Sequence, residues 1–525
     1  MEQFFCMASI FSDSMVLQRG ESATIFGRGE EGADVEVRLS CLEEPVHAVV
    51  RDGRWAVSLP PLQAAEGLTM TAMSRGQTLT VHNVAVGEVW IAGGQSNMEF
   101  WLRNEAEQDT VIPNANDSLL RFFDMPRISY EEQQKDISFL EYGVWRTFTP
   151  EHAGWFSAVG AYFGMKLRQA LNVPVAIIGC NCGATSASCW LSEDHLNAVP
   201  ALRVYRENYE RTLETLDMEQ YAKDFRERQA LGQTQTMIEF DRKMARGEIP
   251  AGDLKGIWER FSKKLTPHQW RLFMLPCGPM APTRPFGMYA SMVKQLAPYT
   301  AKGVIWYQGE SDVVLAEHYA ELFGQVVRCW RDTWGRELPF LTVQLAPFGK
   351  WLDNTGELFP AVRRQQEKAA AEIPGVWMAS IMDAGMEWDI HPKRKRPVGE
   401  RLALLARGKV YGEQELLCDA PAYRWGERTA DGATLHFANA GNGLEARGAF
   451  PAEIDVLANG EPIAFKASAA GDAVTITVCE PHKTALVIQY AWRPYVQAGL
   501  YNSAGLCALP FEATLSECGG ANFVR

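Results

Sequence analysis

Four short motifs carry side chains that suit hydrolytic chemistry, and each follows a segment that predicts a buried strand. They are Gly-Gly-Gln-Ser-Asn-Met (93–98), Gly-Cys-Asn-Cys-Gly-Ala-Thr (179–185), Trp-Tyr-Gln-Gly-Glu-Ser (306–311) and Asp-Ile-His-Pro (389–392). In an open parallel sheet the carboxyl ends of the strands share one edge, where ligands bind. We therefore expect the four motifs to converge in space. A serine, a glycine-rich turn, a Gln/Glu pair and a histidine at one edge predict a serine hydrolase.

Ser96 and His391 are the candidate nucleophile and base. Ser96 follows Gly93-Gly94, where glycines permit a tight turn and a helix N-terminus stabilises negative charge. The G-x-S-x-G elbow motif is absent, because Met98 stands where that motif has glycine. A serine in this place is also an ordinary helix N-cap, so the prediction depends on His391. That histidine lies in a polar, proline-flanked loop, and imidazole is the usual base that activates a serine at neutral pH.

Stabilisation of a developing oxyanion needs two or three hydrogen-bond donors. The candidates are the backbone amides of Ser96 and Gly183 and the side chain of Gln308. A glycine allows the backbone to approach a substrate without a Cβ in the way. Each residue also has a plainer interpretation: Gly183 as a strand-end turn, and Gln308 as a structural hydrogen bond.

Two carboxylates compete for the role of orienting His391. Asp389 is close in sequence, but two residues along an extended segment its side chain can point the other way. Glu310 shares the active edge with Gln308. A triad is defined by geometry and not by chain order, so the sequence leaves both candidates open.

Composition limits the class of protein. A chain of 525 residues is too long for one core and predicts two or three domains. Its 47% hydrophobic and 11% aromatic residues are typical of a packed globular protein. A net charge of −13 argues against a nucleic-acid partner. We interpret the one dense basic run, 393–396, as a solvated approach to a helix.

The termini and cysteines point to a reducing compartment. A transmembrane helix needs about 20 consecutive apolar residues, and the sequence has no such stretch, so we expect no membrane association. The N-terminus lacks a secretory signal pattern, which predicts a cytoplasmic location. Eleven cysteines is an odd number, which suits a reducing compartment. The cluster of Cys180, Cys182 and Cys189 has no second pair to complete a zinc site, so we expect no metal and no cofactor.

Three regions differ in sequence pattern. Residues 1–85 alternate apolar and polar side chains between turns, which predicts an N-terminal antiparallel, β-sandwich-like domain. Residues 86–411 alternate apolar runs with amphipathic segments, which predicts a three-layer α/β/α domain with a parallel sheet. A helical insertion interrupts it at about 195–275 and is either an active-site lid or a structural excursion. Residues 412–525 return to alternation and predict a C-terminal antiparallel β domain.

With these motifs, the chain resembles the sialate O-acetylesterases within the SGNH (GDSL-like) hydrolases. The resemblance spans nearly the whole chain. The matching segments, in order, are Phe11-Ser12-Asp13-Ser14-Met15-Val16-Leu17-Gln18-Arg19, Gly87-Glu88-Val89-Trp90, Gly94-Gln95-Ser96-Asn97-Met98, Phe156-Ser157-Ala158-Val159, Gly303-Val304-Ile305-Trp306-Tyr307-Gln308-Gly309-Glu310-Ser311, Asp389-Ile390-His391-Pro392 and the ending Leu500-Tyr501-Asn502, Gly505-Leu506 and Pro510-Phe511.

The resemblance implies a flavodoxin-like SGNH domain and a metal-independent serine esterase. Its expected partner is an O-acetylated sugar, with sialic acid favoured, and the oligomeric state is left open. An acetylxylan or acetylmannan esterase of the same superfamily is the nearest alternative. An inactive carbohydrate-binding protein is an alternative of a different class.

Two segments depart from the family pattern. Residues 179–185 stand where the family has a run nearer Ser-Ser-Trp-Gly-Gly-Thr, so Gly183 corresponds to either of two family glycines. Residues 282–287 also differ from the usual Tyr-Asn-Gly approach, which leaves the preferred sugar open.

Overall fold

The computed structural model describes residues 5–130, 133, 143–231, 266–351, 354–448, 450–480, 484–516 and 522–523. The chain forms two compact units. The first comprises Met1–Arg246, Leu265–Gln308 and Glu321–Phe340, and the second comprises Gly247–Lys264, Gly309–Ala320 and Leu341–Arg525.

The first unit contains twelve described strands. They are β1 (Cys6–Met7), β2 (Val16–Gln18), β3 (Ala23–Arg28), β4 (Asp34–Leu39), β5 (Val46–Val49), β6 (Arg54–Leu59), β7 (Ala65–Ser74), β8 (Gln77–Gly94), β9 (Asp117–Asp124), β10 (Trp145–Phe148), β11 (Val175–Asn181) and β12 (Gly303–Tyr307).

One long strand, β8, joins the N-terminal β region to the parallel sheet. Its first part pairs antiparallel with β7, and its last residues pair parallel with β11 and β12. Burial changes along β8 from alternating to continuous. The change in sequence pattern near residue 85 therefore marks the point where one strand becomes buried on both faces, and it does not mark a linker. The division into three domains stays a prediction.

The central sheet of the first unit is mixed. Its strands lie in the order β10-β9-β11-β8-β12, and β7 and β4 extend it from β8. The parallel pairs are β9 with β11, β11 with β8, and β8 with β12, whereas β10 pairs antiparallel with β9. The expectation of a parallel sheet is correct for its centre and wrong for its edge.

Helices connect these strands in the first unit. The α-helices among the described residues are Ser96–Glu99, Gln108–Val111, Ala158–Leu171, Glu193–Asn197, Arg203–Glu214, Met218–Leu231, Pro267–Phe273, Lys294–Leu296 and Tyr319–Trp334. The last of them begins in the second unit, at Tyr319. The expected helical insertion is helical where it is described, up to residue 231 and again from 267. Residues 232–265 of this insertion lie outside the described residues.

The long C-terminal segment of the second unit, from Leu341, contains most of β13 (Phe340–Val343) and all of β16 (Val376–Ala379), and these two strands neighbour each other. Between them lie the short hairpin of β14 (Lys350–Trp351) with β15 (Asn354–Thr355) and the helix Phe359–Glu372. The helix Arg396–Leu405 follows the loop that carries His391. This helix is the one that the basic run 393–396 was expected to approach.

The C-terminal part of the second unit is antiparallel β structure, as predicted. Its strands are β17 (Ala422–Thr429), β18 (Gly432–Ala438), β19 (Glu445–Ala446), β20 (Ile454–Ala458), β21 (Glu461–Pro462), β22 (Phe465–Ala470), β23 (Ala473–Val478), β24 (Leu486–Tyr490), β25 (Leu500–Tyr501), β26 (Phe511–Leu515) and β27 (Asn522–Phe523). They form the sheets β22-β23-β18-β17-β27 and β21-β20-β24-β26 and the pair β19-β25. Both larger sheets contribute side chains to one apolar cluster, which includes Leu435, Ile476, Val456 and Ile488.

In the part of the chain that the structure describes, we find no helix with the length and apolar character needed to cross a membrane.

Candidate active site

Ser96 begins a short helix (Ser96–Glu99) directly after β8. Gly94 has φ +128°, and a Cβ there would lie 2.2 Å from the carbonyl oxygen of Tyr307. Only glycine permits this close approach of the β8 and β12 backbones. The amide of Gln95 then donates to the same Tyr307 carbonyl at 3.0 Å. This turn leaves Ser96 as a half-buried residue at the carboxyl end of β8.

The structure brings Gly183 against Ser96. A Cβ built on Gly183 would lie 3.5 Å from the Cβ of Ser96, and the preceding amide of Cys182 donates to Gly94 at 3.1 Å. The amide of Gly183, however, donates to Glu99 Oε2 at 2.7 Å. The candidate oxyanion donor is thus next to the serine, but a carboxylate accepts its hydrogen bond in this structure.

The residue after Gly183 has an uncommon backbone conformation. Ala184 has φ +61°, in the left-handed region that costs an L-residue with a Cβ about 1–2 kcal/mol. Thr185 fixes the loop on the other side, because its hydroxyl donates to the Cys182 carbonyl at 2.7 Å and accepts from Trp190 Nε1 at 2.9 Å. Such strained residues concentrate at functional sites, where the surrounding contacts hold them. The hydrogen bonds of Thr185 and the backbone of Ala184 therefore hold the loop next to Gly183 in one conformation.

Gln308 is fully buried and links three strand ends of the first unit. Its Nε2 donates to Gln95 Oε1 and to the Thr185 carbonyl, both at 3.2 Å. The structural hydrogen bond that the sequence left as the alternative is therefore present. The role of Gln308 as an oxyanion donor stays a prediction.

A charged cluster beside Ser96 was missed by sequence reasoning. Glu99 Oε1 lies 3.5 Å from Arg127 Nε, and Arg127 Nη2 lies 3.3 Å from Asp124 Oδ2. Burial raises the pKa of Asp124 to about 6, against the opposing charge of Arg127. The spacing of Glu99 from Ser96 could have indicated this contact, because residues three apart in a helix lie on the same side of it.

Cys180 and Cys182 lie in the same loop and are buried. Burial raises the pKa of both thiols, that of Cys182 to about 12. Both are therefore protonated at neutral pH and behave as small apolar side chains, as the sequence suggested.

The histidine loop belongs to the second unit. The carboxylate of Asp389 is 2% exposed and accepts the backbone amide of His391 at 2.8 Å. Its Oδ1 lies 3.7 Å from His391 Nδ1, longer than a hydrogen bond, and its Oδ2 lies 3.0 Å from Lys393 Nζ. The His391 ring packs edge-on against Trp351, with ring centroids 5.6 Å apart.

These contacts decide the charge of Asp389. Burial by itself raises the pKa of this carboxyl, but the nearby imidazole and backbone amide of His391 and the charge of Lys393 outweigh it and lower the pKa to about 2. Asp389 is therefore an anion at neutral pH beside the imidazole.

The interpretation of residues 393–396 as a solvated run is wrong for both of its lysines. The Lys393 side chain is 16% exposed, because it reaches back four residues to the buried Asp389. Lys395 is fully buried at the start of the helix Arg396–Leu405. Burial of these ammonium groups indicates a structural role for the run.

Glu310 also belongs to the second unit. It begins the 3₁₀ segment Glu310–His318 after Gly309, which has φ +149°, and its side chain is 8% exposed. Ser96, Gly183 and Gln308 thus lie in the first unit, whereas Glu310, Asp389 and His391 lie in the second. The contact of Asp389 with His391 makes it the first candidate for the orienting carboxylate.

Comparisons with known proteins agree with the sequence motifs. A family described as carbohydrate esterase, sialic acid-specific acetylesterase, matches residues 281–405, which include Gln308, Glu310, Asp389 and His391. The rat protein named sialate O-acetylesterase is 27% identical over 79% of this chain and 76% of its own length. The human protein of that name is 24% identical over 98% of this chain and 94% of its own.

A solved structure of similar fold supports the same assignment. The crystal structure of a carbohydrate acetylesterase from Xanthomonas citri matches with a TM-score of 0.73 and 28% identity, covering 97% of this chain and 99% of that one. The similarity extends over both units and is not confined to a common sheet. The chain is an esterase, and its sequence and fold are similar to those of the sialate O-acetylesterases and of a carbohydrate acetylesterase.

Proposed function

We propose that the protein removes O-acetyl groups from sialic acid through a serine acyl-enzyme intermediate. The observation that carries the proposal is the half-buried Ser96 on a glycine-dependent turn, with the Gly183 backbone beside it. The names of its relatives supply the substrate class. We also propose that the mixed sheet and its helices form the three-layer SGNH arrangement.

Each residue has a defined role in the proposed reaction. Ser96 Oγ attacks the acetyl carbonyl carbon while His391 accepts the hydroxyl proton. The tetrahedral intermediate collapses, the sugar oxygen leaves, and His391 returns the proton to it. Water then attacks the acetyl-serine while His391 accepts its proton. The second tetrahedral intermediate breaks its bond to Ser96 Oγ and releases acetate, and His391 returns the proton to Ser96 Oγ. Asp389, or Glu310 as the alternative, keeps the imidazole in the required tautomer.

The amides of Ser96 and Gly183 and the side chain of Gln308 are the proposed oxyanion donors. Because Glu99 accepts the Gly183 amide at 2.7 Å, this donor becomes available only when the carboxylate moves. Arg127, 3.5 Å from the other Glu99 oxygen, is placed to keep the displaced carboxylate paired. We propose that Glu99 leaves Gly183 when the substrate carbonyl arrives.

The substrate class is tested by acetate release from O-acetylated sialic acid, compared with acetylated xylo- and manno-oligosaccharides. We expect the highest kcat/KM for the acetylated sialic acid. Preference for an acetylated xylan or mannan fragment would assign the chain to the alternative esterase class. No acetate from any of them, nor from an acetylated chromogenic phenol, would favour the inactive carbohydrate-binding protein.

Ser96→Ala and His391→Ala should each lower turnover by about three to six orders of magnitude, and the double variant should lose little more. The two side chains act as one unit, so their losses do not add. Ser291→Ala and His47→Ala are the controls, with unchanged turnover and melting temperature. Near-normal turnover in a folded Ser96→Ala protein would refute the assignment of the nucleophile.

Acid should destabilise the protein through Asp389, whose pKa of about 2 keeps it ionised in the folded state at neutral pH. Its lowered pKa adds stability that is present above about pH 4 and is lost as the pH falls towards 2. A melting temperature that falls with acid as steeply in Asp389→Asn as in the parent protein would argue against this contribution.

Asp389→Asn should lower kcat by up to about 10⁴, as loss of an orienting carboxylate does. Glu310→Gln should cost only about tenfold. Lys393→Gln, which leaves the carboxylate in place, is the control for the loss of the ion pair. A larger loss in Glu310→Gln would reverse the assignment, and mild losses in both variants would indicate a Ser–His dyad.

Arg127→Gln should lower kcat/KM by about ten- to a hundredfold, because Glu99 then keeps its charge-assisted hydrogen bond to Gly183, a bond worth about 1.5–3 kcal/mol. Adding Glu99→Ala to Arg127→Gln should restore most of the activity. Glu151→Ala, an exposed carboxylate, is the matched control. If Glu99→Ala alone is as damaging as Ser96→Ala, then Glu99 holds the loop in place and does not gate the donor.

A further inference from the structure

A cleft of about 680 Å³ lies in the first unit, away from the residues assigned to catalysis. It is bounded by the N-terminal strands β1, β3 and β6 and by the segment 294–298. Among the residues that the structure describes, its lining contains four cationic side chains and no carboxylate. The four are Arg28, Arg51, Arg54 and Lys294.

The strand register places three of these cations together. Arg28 is directly opposite Arg54 in the antiparallel pair of β3 and β6, and Arg51 forms a bridge with Arg54 across the adjoining turn. Side chains of directly opposed residues lie on the same face of a sheet, and like charges in such positions are destabilising. The three guanidinium groups on this face therefore repel one another, and a bound anion would offset that repulsion.

Within the described parts of the chain, Arg28, Arg51 and Arg54 form no ion pair, and all three are exposed. Three carboxylates of the same region are used elsewhere: Glu36 pairs with Arg38, Glu30 pairs with Arg75, and Glu31 accepts the amide of Gly53. The exposed Asp52 lies in the turn between Arg51 and Arg54, and among the described residues it forms no ion pair with any of the three arginines. The cluster is notable in a chain whose net charge is −13.

We propose that this cleft binds a carboxylated saccharide outside the catalytic site. The planar guanidinium group forms paired hydrogen bonds with a carboxylate. The volume falls in the range of small-ligand sites, which is about 300–1,000 Å³. Half-buried Phe26 provides an apolar surface in the same lining for a sugar ring. The choice of a carboxylated sugar rests on the proposed function, and the cleft would retain an acidic glycan on the enzyme.

The test is binding of a non-acetylated sialic acid oligomer to the full-length protein, measured by calorimetry at low and physiological salt. Because this probe carries no acetyl ester, the result does not depend on hydrolysis by Ser96. Combined substitution Arg28→Ala, Arg51→Ala and Arg54→Ala should weaken binding at least about tenfold, since each lost charge-assisted hydrogen bond has a large effect. Hydrolysis of a small acetylated phenol should stay unchanged.

The matched control is Arg38→Ala with Arg75→Ala, which removes two paired arginines of the same β region and should leave binding intact. Equal binding by the triple variant and the parent, or no binding by the parent, would overturn the proposal. Tighter binding of a sulfated heparin fragment than of the sialic acid oligomer would overturn the assignment to carboxylated sugars. A neutral xylo-oligosaccharide should not bind in the cleft.

Discussion

The close approach of Gly94 to the Tyr307 carbonyl is the constraint on which the serine half of the site depends. Without a Cβ at this residue, β8 and β12 come together and the chain turns sharply into Ser96. Gln308 then joins the ends of β8, β11 and β12 through Gln95 and Thr185. A backbone fixed in this way gives the preorganisation that oxyanion stabilisation needs, since donors that are already oriented do not reorganise during the reaction.

The elements that carry the motifs were predictable, because β12 and the last part of β8 are uninterrupted apolar runs. Strand β9 was missed for a physical reason. Arg121 lies in the middle of it, only 2% exposed, and its guanidinium donates to the carbonyls of Ser14, Met15 and Asn83. A charged residue in a buried strand conceals the apolar pattern, and its partners lie far away in sequence.

The residues of the site also divide into those that the sequence predicted and those that it did not. Ser96 and His391 were found because few residue types perform their chemistry. The contact of Glu99 with Gly183 depends on a loop conformation, including the positive φ of Ala184, that residue types alone do not specify. The sequence pattern likewise predicted a solvated Lys393, because residue types alone do not show that its partner Asp389 is buried. The sequence predicted the local elements, but it did not predict which charged side chains pair with partners elsewhere in the fold.

Covalent labelling tests the central claim, that Ser96 is an activated nucleophile, most directly. A small fluorophosphonate transfers its phosphonyl group to a serine only when a base activates the hydroxyl. Peptide mass spectrometry should locate one stoichiometric adduct on Ser96, formed in parallel with loss of esterase activity and far more slowly in His391→Ala. An inactivated enzyme that carries its adduct on another residue, or equally fast labelling of Ser96 without His391, would contradict the account.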